Sequence, residues 1–283
     1  MKLVIFGSDG FIGREIVKLA PTSGVEIFAY SRSKYGQFES DKISSLVSSF
    51  CSSTDELNVI YCAGPAPIKT LEQMIESRTI LQIVLKSLST TFSRVHFVYV
   101  SSDAVYGSTG ENLNESSNLS PDSLHGFLHA HNENLVLSKF GSNATTLVRP
   151  VALFGVGDPH NSYGPNRFFR DASSSRIINL VNGGIDQRDH LWITDAAQAL
   201  IKISESPRGV VNLATGRAKT FLQVAQEVAS IFQENVQIEF LSEGKVKTLK
   251  TFNTLYLQSI LCGNLFDSLE RGINSWKTSG GEQ

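Results

Sequence analysis

Gly7-Ser8-Asp9-Gly10-Phe11-Ile12-Gly13 follows a short apolar run, Lys2-Leu3-Val4-Ile5-Phe6, and leads into Arg14-Glu15-Ile16-Val17-Lys18-Leu19. Glycines at this spacing let a chain turn sharply off a strand and bring bare N–H groups at a helix N-terminus against an anion such as a pyrophosphate. The context that such a pattern needs, a strand before and a helix after, is readable on both sides. Phe11, Ile12, Ile16 and Leu19 fall on nearly one helical face, and the stretch from Pro21 to Gly24 stops the helix. The turn therefore reads as a dinucleotide site, with Gly7, Asp9, Gly10, Phe11, Ile12 and Gly13 as its cofactor-binding residues.

With 283 residues, 41% of them hydrophobic, the chain has the length for one large or two unequal domains around a full core. A formal net charge of -2 gives no electrostatic footprint for nucleic acid or an anionic membrane, so a small-molecule partner is expected. Cys51, Cys62 and Cys262 are far apart and form no CxxC pair, which suits a reducing cytoplasm. The N-terminal apolar run is too short for a signal peptide or a spanning helix, and cytoplasmic residence is the expectation.

Residues 25–30 read as a second buried strand ending at Ser31-Arg32-Ser33-Lys34. There an acid would accept from a ribose 2′-OH and a cation would pair with a 2′-phosphate, so Arg32 favours NADP over NAD. Tyr30 and Lys34 spell a Tyr-x-x-x-Lys pattern, but at a strand end remote from chemistry at a nicotinamide. Residues 37–41 suggest a short third strand with Asp41 reaching the adenine edge, then a Ser-rich helix to about Phe50. A clearer strand over 57–62 is broken by Ala63-Gly64-Pro65-Ala66-Pro67; small residues there, with Cys62, Ala63 and Gly64 as cofactor contacts, leave room for a ligand across the crevice. Helical periodicity follows over 69–89, then a strand over 95–100 whose end carries Ser101-Ser102-Asp103-Ala104-Val105-Tyr106-Gly107.

Strand, Gly-rich turn, helix and then this polar strand end resemble the extended short-chain dehydrogenase/reductases, the group of nucleotide-sugar epimerases, dehydratases and 4-keto-sugar reductases. The resemblance continues through Leu147-Val148-Arg149-Pro150 with Phe154-Gly155, through Gln187-Arg188-Asp189-His190-Leu191-Trp192-Ile193-Thr194-Asp195, and through Val211-Asn212-Leu213-Ala214-Thr215-Gly216. It implies an α/β fold, a Rossmann-type doubly wound parallel sheet with a smaller, split C-terminal substrate part. Residues 1–155, with 186–215 returning to them, would form the NAD(P)-binding domain; 156–185 and 216–283 would bind a nucleotide sugar. In that likeness Ser102 hydrogen-bonds the reacting oxygen, Asp103 stands where dehydratases carry an acid, Pro150 runs beside the nicotinamide, and Arg188 pairs with the substrate's diphosphate. Helices over 71–89 and 121–140 would form a four-helix homodimer interface.

The departure comes at the helix expected after Ser120-Pro121. The family's Tyr-Gly-x-x-Lys-x-x-x-Glu register falls on His125, Gly126, His129 and Glu133, so both proton-handling residues are replaced. The usual Tyr needs a neighbouring cation to bring its pKa down from about 10, whereas imidazole titrates near about 6.5 unaided. Three readings follow: His125 replaces the tyrosine as acid/base with Ser102 polarising the carbonyl; Asp103 or a water handles the proton; or the protein binds a dinucleotide without turnover, as a sensor or subunit. His129 would hydrogen-bond a ribose. His125, His129 and Glu133 share one helical face, but a metal would want a third convergent ligand and supporting groups, and no metal site is assigned.

Farther on, a strand over 145–149 precedes a Gly/Pro-rich connection from Phe154 to Asn166, where Asn161, Tyr163, Asn166 and Arg167 are candidate substrate contacts. Strands are expected over 177–180, 210–213 and 236–240, and helices over 196–204, capped by Thr194-Asp195, over 221–232 and over 253–262. The tail 278–283 is expected to be disordered.

Overall fold

The computed structural model describes residues 1–159, 164–232, 235–241, 248–263 and 268–278. The first half alternates strand and helix: β1 (Lys2–Phe6), α1 (Phe11–Leu19), β2 (Glu26–Tyr30), α2 (Arg32–Tyr35), α3 (Ser40–Phe50), β3 (Glu56–Tyr61), α4 (Leu71–Thr91) and β4 (Arg94–Val100). A 3₁₀ turn over Asp103–Tyr106 leads to β5 (Gly110–Leu113), α5 (Leu124–Phe140), β6 (Thr145–Pro150) and β7 (Ala152–Phe154). Beyond lie α6 (Pro165–Ser174), β8 (Ile177–Val181), β9 (Gln187–Arg188), β10 (His190–Trp192), α7 (Ile193–Ile203) and β11 (Gly209–Leu213). The rest comprises β12 (Lys219–Thr220), α8 (Phe221–Ser230), β13 (Gln237–Leu241), β14 (Lys250–Phe252), α9 (Leu255–Ile260) and α10 (Ser268–Thr278).

The main sheet has six strands in the order β11-β6-β4-β3-β1-β2, every pair parallel. Alternation along β1 shows why both faces must be covered: Leu3 and Ile5 pack with Ile16, Ala196 and Leu200 on one side, Val4 and Phe6 with Ile43, Val47 and Leu81 on the other. On the first face α1 lies against α7, and on the second α3, α4 and α5 pack in sequence. This is the Rossmann-type doubly wound arrangement. Because the chain leaves β1 toward β2 and then crosses back to β3, the order reverses between β1 and β3, the place where such sheets bind ligands.

A third apolar cluster lies apart from the sheet, where Phe154, Phe168, Ile178, Val224 and Ile273 are buried together and the rings of Phe169 and Trp276 stack at 4.3 Å. It joins α6, β8, α8 and α10. The final strand β14 pairs with β5, tying the C-terminal segment to the loop after β4.

Three local expectations are corrected. Residues 37–41 form no strand; the chain bends there and α3 begins at Ser40, its first turn carrying the exposed Asp41. The cap of α5 is Ser123, whose Oγ accepts the Gly126 N–H at 3.1 Å, so Ser120-Pro121 lie before the helix. Thr194 and Asp195 stand inside the first turn of α7 rather than capping it: Thr194 Oγ1 donates to Glu15 and Asp195 accepts from Ser268. The tail over 279–283 lies outside the described residues.

Candidate active site

The opening turn is held by its own backbone. The N–H groups of Gly7 and Ser8 both donate to the Tyr30 carbonyl, at 3.1 and 3.2 Å, which fastens the turn to the end of β2. Gly7 adopts φ +94°, and a Cβ there would stand 2.7 Å from the Ala63 backbone; one on Gly13 would stand 2.1 Å from the Gly7 carbonyl oxygen. The helix therefore sits directly against the turn. Gly10, the N-cap of α1, offers no side-chain hydrogen bond to it. The first amides of α1 lack intrahelical acceptors by geometry and lie at the positive end of the helix dipole, so an anion is what fits there.

From this turn a crevice runs in two directions, its halves sharing Gly10 and the stretch from Cys62 to Pro65, with volumes of about 380 and about 420 Å³. The first half is bounded by Asp9, Ser31, Arg32, Ser33 and Phe38. The Ser33 hydroxyl donates to the Asp9 carboxylate, and hydrogen bonds from Ser33 and then Ser31 lower the Asp9 pKa. Arg32 reaches the rim but is paired with Glu76 at 2.7 Å, both side chains about half exposed. Asp41, expected at the adenine edge, does not line this half. Cys62 does, although burial pushes its thiol up to about 12, which leaves it protonated at neutral pH.

The second half is walled by Phe11 and Ile12, by Pro150 and Val151, and by Ser102, Asp103, His125 and His129. Gly126 permits the approach of α5, since a Cβ there would meet the Ala104 carbonyl at 2.4 Å; the first turn of α5 thereby presses its His125 toward the strand end. The His125 and His129 rings meet edge to face at 4.5 Å. Behind them the Ile68 N–H donates to His125 Nδ1 at 3.3 Å, and Tyr99 Oη lies 2.9 Å from His129 Nδ1 while accepting from Asn132 Nδ2 at 3.1 Å. Burial, and secondarily His125, hold His129 well below the usual imidazole range. Ser102 Oγ accepts the Ala104 N–H at 3.1 Å.

The third member of that helical face has another task. Glu133, 3% exposed, accepts from Arg149 Nε at 2.9 Å and Nη2 at 2.7 Å and from Ser101 Oγ at 2.6 Å. Arg149 Nη1 donates to Tyr106 Oη, which donates to Asn212 Oδ1, both at 2.8 Å. This buried chain ties α5, the end of β4, β6 and β11 together under Ser102.

Sequence reasoning missed Lys250. Its ammonium, from β14, donates to the carbonyl and to Oδ2 of Asp103, both at 3.0 Å, with the lysine side chain 5% exposed. A lone lysine in a short strand far along the chain gives no local signal; only the β5–β14 pairing brings it here. The substrate-side candidates are dispersed. Asn161 and Tyr163 lie outside the described residues. Asn166 is buried and accepts the Gly155 N–H at 2.9 Å, Arg167 pairs along α6 with Asp171 at 3.5 Å, and half-buried Arg188 on β9 donates to the Gln187 carbonyl at 3.3 Å. None of these three lines the crevice.

Comparison with known proteins gives the following. The model of the NAD dependent epimerase/dehydratase family matches residues 3–214. A trifunctional UDP-glucose 4,6-dehydratase/UDP-4-keto-6-deoxy-D-glucose 3,5-epimerase/UDP-4-keto-L-rhamnose-reductase of Arabidopsis thaliana is 26% identical over 164 residues, 53% of this chain and 24% of that protein. Across the first curated relatives the matches span from 24% to 62% of the relative's own length. Among solved structures, the UDP-N-acetylglucosamine 4-epimerase of Bacillus cereus superposes with a TM-score of 0.83 at 18% identity, covering 100% of this chain and 97% of the other. The Pseudomonas aeruginosa protein RMD, solved with NADPH, gives 0.78 at 18% identity, covering 98% and 99%. At these identities the structural likeness shows the fold.

Removing Lys250 strands the Asp103 carboxylate in a mostly buried place. Lys250→Met is expected to destabilise the protein by about 3 kcal/mol in urea denaturation. Adding Asp103→Leu to that variant restores part of the loss; strict additivity of the two substitutions would show that the pair is not coupled.

Proposed function

The chain belongs to the NAD dependent epimerase/dehydratase family, and on that footing we propose that it is a nicotinamide-dinucleotide enzyme acting on a nucleotide-activated sugar. The observation that carries the reading is the start of α1, which no side chain caps, lying where the two halves of the crevice meet.

In this reading the amides of Phe11 and Ile12 hold the pyrophosphate, and Asp9, Ser31 and Arg32 meet the adenosine ribose. Cys62, Ala63 and Gly64 let the cofactor lie across the sheet edge, and Pro150 flanks the nicotinamide. When bound, the nicotinamide supplies or takes a hydride at the carbon bearing the reacting oxygen. Ser102 and His125 hold that oxygen, with Asp103 beside them and His129 toward the ribose. The parts outside the main sheet, 156–185 and 216–283, take the sugar nucleotide, with Arg188 and Arg167 turning toward its phosphates. The unpaired thiols Cys51, Cys62 and Cys262 fit a reducing cytoplasm. Binding without turnover is the second reading, favoured by histidines at both positions where the family resemblance expects Tyr and Lys.

NADP is preferred to NAD because β2 ends in Ser31-Arg32-Ser33, a stretch that carries a cation and no acid of its own. The Arg32–Glu76 pair is exposed and worth about 0 to 1 kcal/mol, so a 2′-phosphate can displace it. In fluorescence titrations NADPH is expected to bind about tenfold more tightly than NADH, and Arg32→Gln to close the gap. No response to either would overturn the proposal. Hydride transfer from the bound cofactor to keto-sugar nucleotides separates the enzyme from the second reading.

The chain forms a homodimer through α4 and α5, where Leu71, Ile75, Leu124 and Phe127 are 41% to 62% exposed. Sedimentation velocity should give twice the chain mass, falling to the monomer in an Ile75→Glu, Phe127→Glu variant; a monomeric parent protein would rule the interface out.

A further inference from the structure

We infer that Lys250 is a positioning residue of the active site: it holds Asp103 so that one carboxylate oxygen, Oδ1, stays at the crevice as an acceptor for a hydroxyl of the sugar. The inference rests on the proposed function and adds to it a group that selects the ligand.

Hydrogen bonds on two sides fix where Lys250 stands. Asp186 Oδ1 accepts from the N–H and the hydroxyl of Thr248, and the Thr248 carbonyl accepts the Gln187 N–H at 2.9 Å, which binds the segment to β9. On the other side the Leu249 carbonyl accepts the Gly110 N–H at 2.9 Å, Thr251 Oγ1 accepts the Asn112 N–H at 2.8 Å, and the Asn253 N–H donates to the Leu113 carbonyl at 2.8 Å. The segment is thus laced to β9 and to β5 at once. From between these two attachments the lysine side chain runs to the wall of the crevice.

At its tip the ammonium donates to two acceptors of one residue, the carbonyl and Oδ2 of Asp103. Two bonds to the same residue fix the rotamer of its side chain. Among the described residues Asp103 is the one ion-pair partner of Lys250, so a proton on Asp103 would leave a buried ammonium with no counter-charge. Asp103 therefore stands as a carboxylate, which only accepts hydrogen bonds. Its Oδ1 receives no donor from any described residue, and the side chain keeps 18% of its surface open where it lines the crevice beside Ser102. Lys250 itself does not line the crevice and acts through Asp103.

For stability alone, apolar side chains of similar size would fill such a place as well or better than an ammonium and a carboxylate. What the pair adds is a charged acceptor of fixed position facing the ligand. A sugar that offers a hydroxyl to Oδ1 gains a hydrogen bond to a charged group, and a sugar lacking that hydroxyl leaves the carboxylate facing it without a donor.

Binding tests this without turnover. UDP-glucose, dTDP-glucose and ADP-glucose are titrated by calorimetry into the full chain saturated with the dinucleotide it binds, and the tightest ligand is then compared with its singly deoxygenated sugar analogues. The parent protein should prefer the complete sugar to one of these analogues by about tenfold to hundredfold. Lys250→Met, Asp103→Leu, which has no acceptor, should bring that ratio to about one. Lys250→Met alone, which keeps the carboxylate but frees it, should bring it below about threefold with dinucleotide affinity unchanged, and Lys250→Arg should keep most of the preference. Lys250→Gln takes the place of Lys250→Met if the latter does not fold. A preference that survives in the neutral variant, equal weakening of complete and deoxygenated sugars, or a parent protein without preference would each overturn the inference while leaving the proposed function standing. A parent protein that binds a dinucleotide but no nucleotide sugar would remove the proposed function and the inference with it.

Discussion

A side chain at position 13 would have to occupy the space of the Gly7 carbonyl oxygen, 2.1 Å away, so α1 and the turn before it touch across hydrogen atoms alone. That contact sets where the helix begins. It aims the amides of its first turn at the reversal point between β1 and β3, and it spares the crevice a wall that any larger residue would raise. Gly7 does the same toward the Ala63 backbone, so the floor of the crevice is main chain from two strands. A helix end suited to an anion and a parallel sheet edge are thereby one structure.

The far end of the crevice is governed by a different rule, that buried polar groups must be paired. Below the surface, a hydrogen-bonded chain from Ser101 through Glu133, Arg149 and Tyr106 to Asn212 fixes the backbone carrying Ser102. Above it, Lys250 reaches in from the C-terminal segment to Asp103. The two imidazole rings meet edge to face here, where two imidazolium ions at 4.5 Å would repel and burial disfavours the charge on His129. The charge that the family's lysine would bring to position 129 is absent, and the Lys250 cation stands at Asp103 instead.

Much of this was legible in the sequence wherever the signal is local. The strands of the main sheet are continuous apolar runs, as both-sided burial demands, and the glycine turn declares its own geometry. The histidines were visible because a register was available to hold them against. What the sequence hid was non-local or competing. Phe38 gave residues 37–41 the look of a strand, yet it turns into the core beside Phe6 and Tyr30 while Ser40 opens a helix. Ser120 before Pro121 had the look of a cap, yet Ser123 caps the helix, where Gly126 packs on Ala104. Lys250, Ile68 and Tyr99 act on the site through pairings that no spacing encodes. Arg188 and Arg167 sit away from the crevice, attached to residues one and four positions along their own elements.

The central claim is that backbone amides at the start of α1 receive a pyrophosphate while His125 and His129 face the reacting end. A crystal structure with NADPH bound tests it most directly. The account predicts the diphosphate oxygens within hydrogen-bond distance of the Phe11 and Ile12 amides and the nicotinamide between Pro150 and the His125–His129 pair. A dinucleotide lodged elsewhere, or a first turn of α1 that no phosphate approaches, would contradict it.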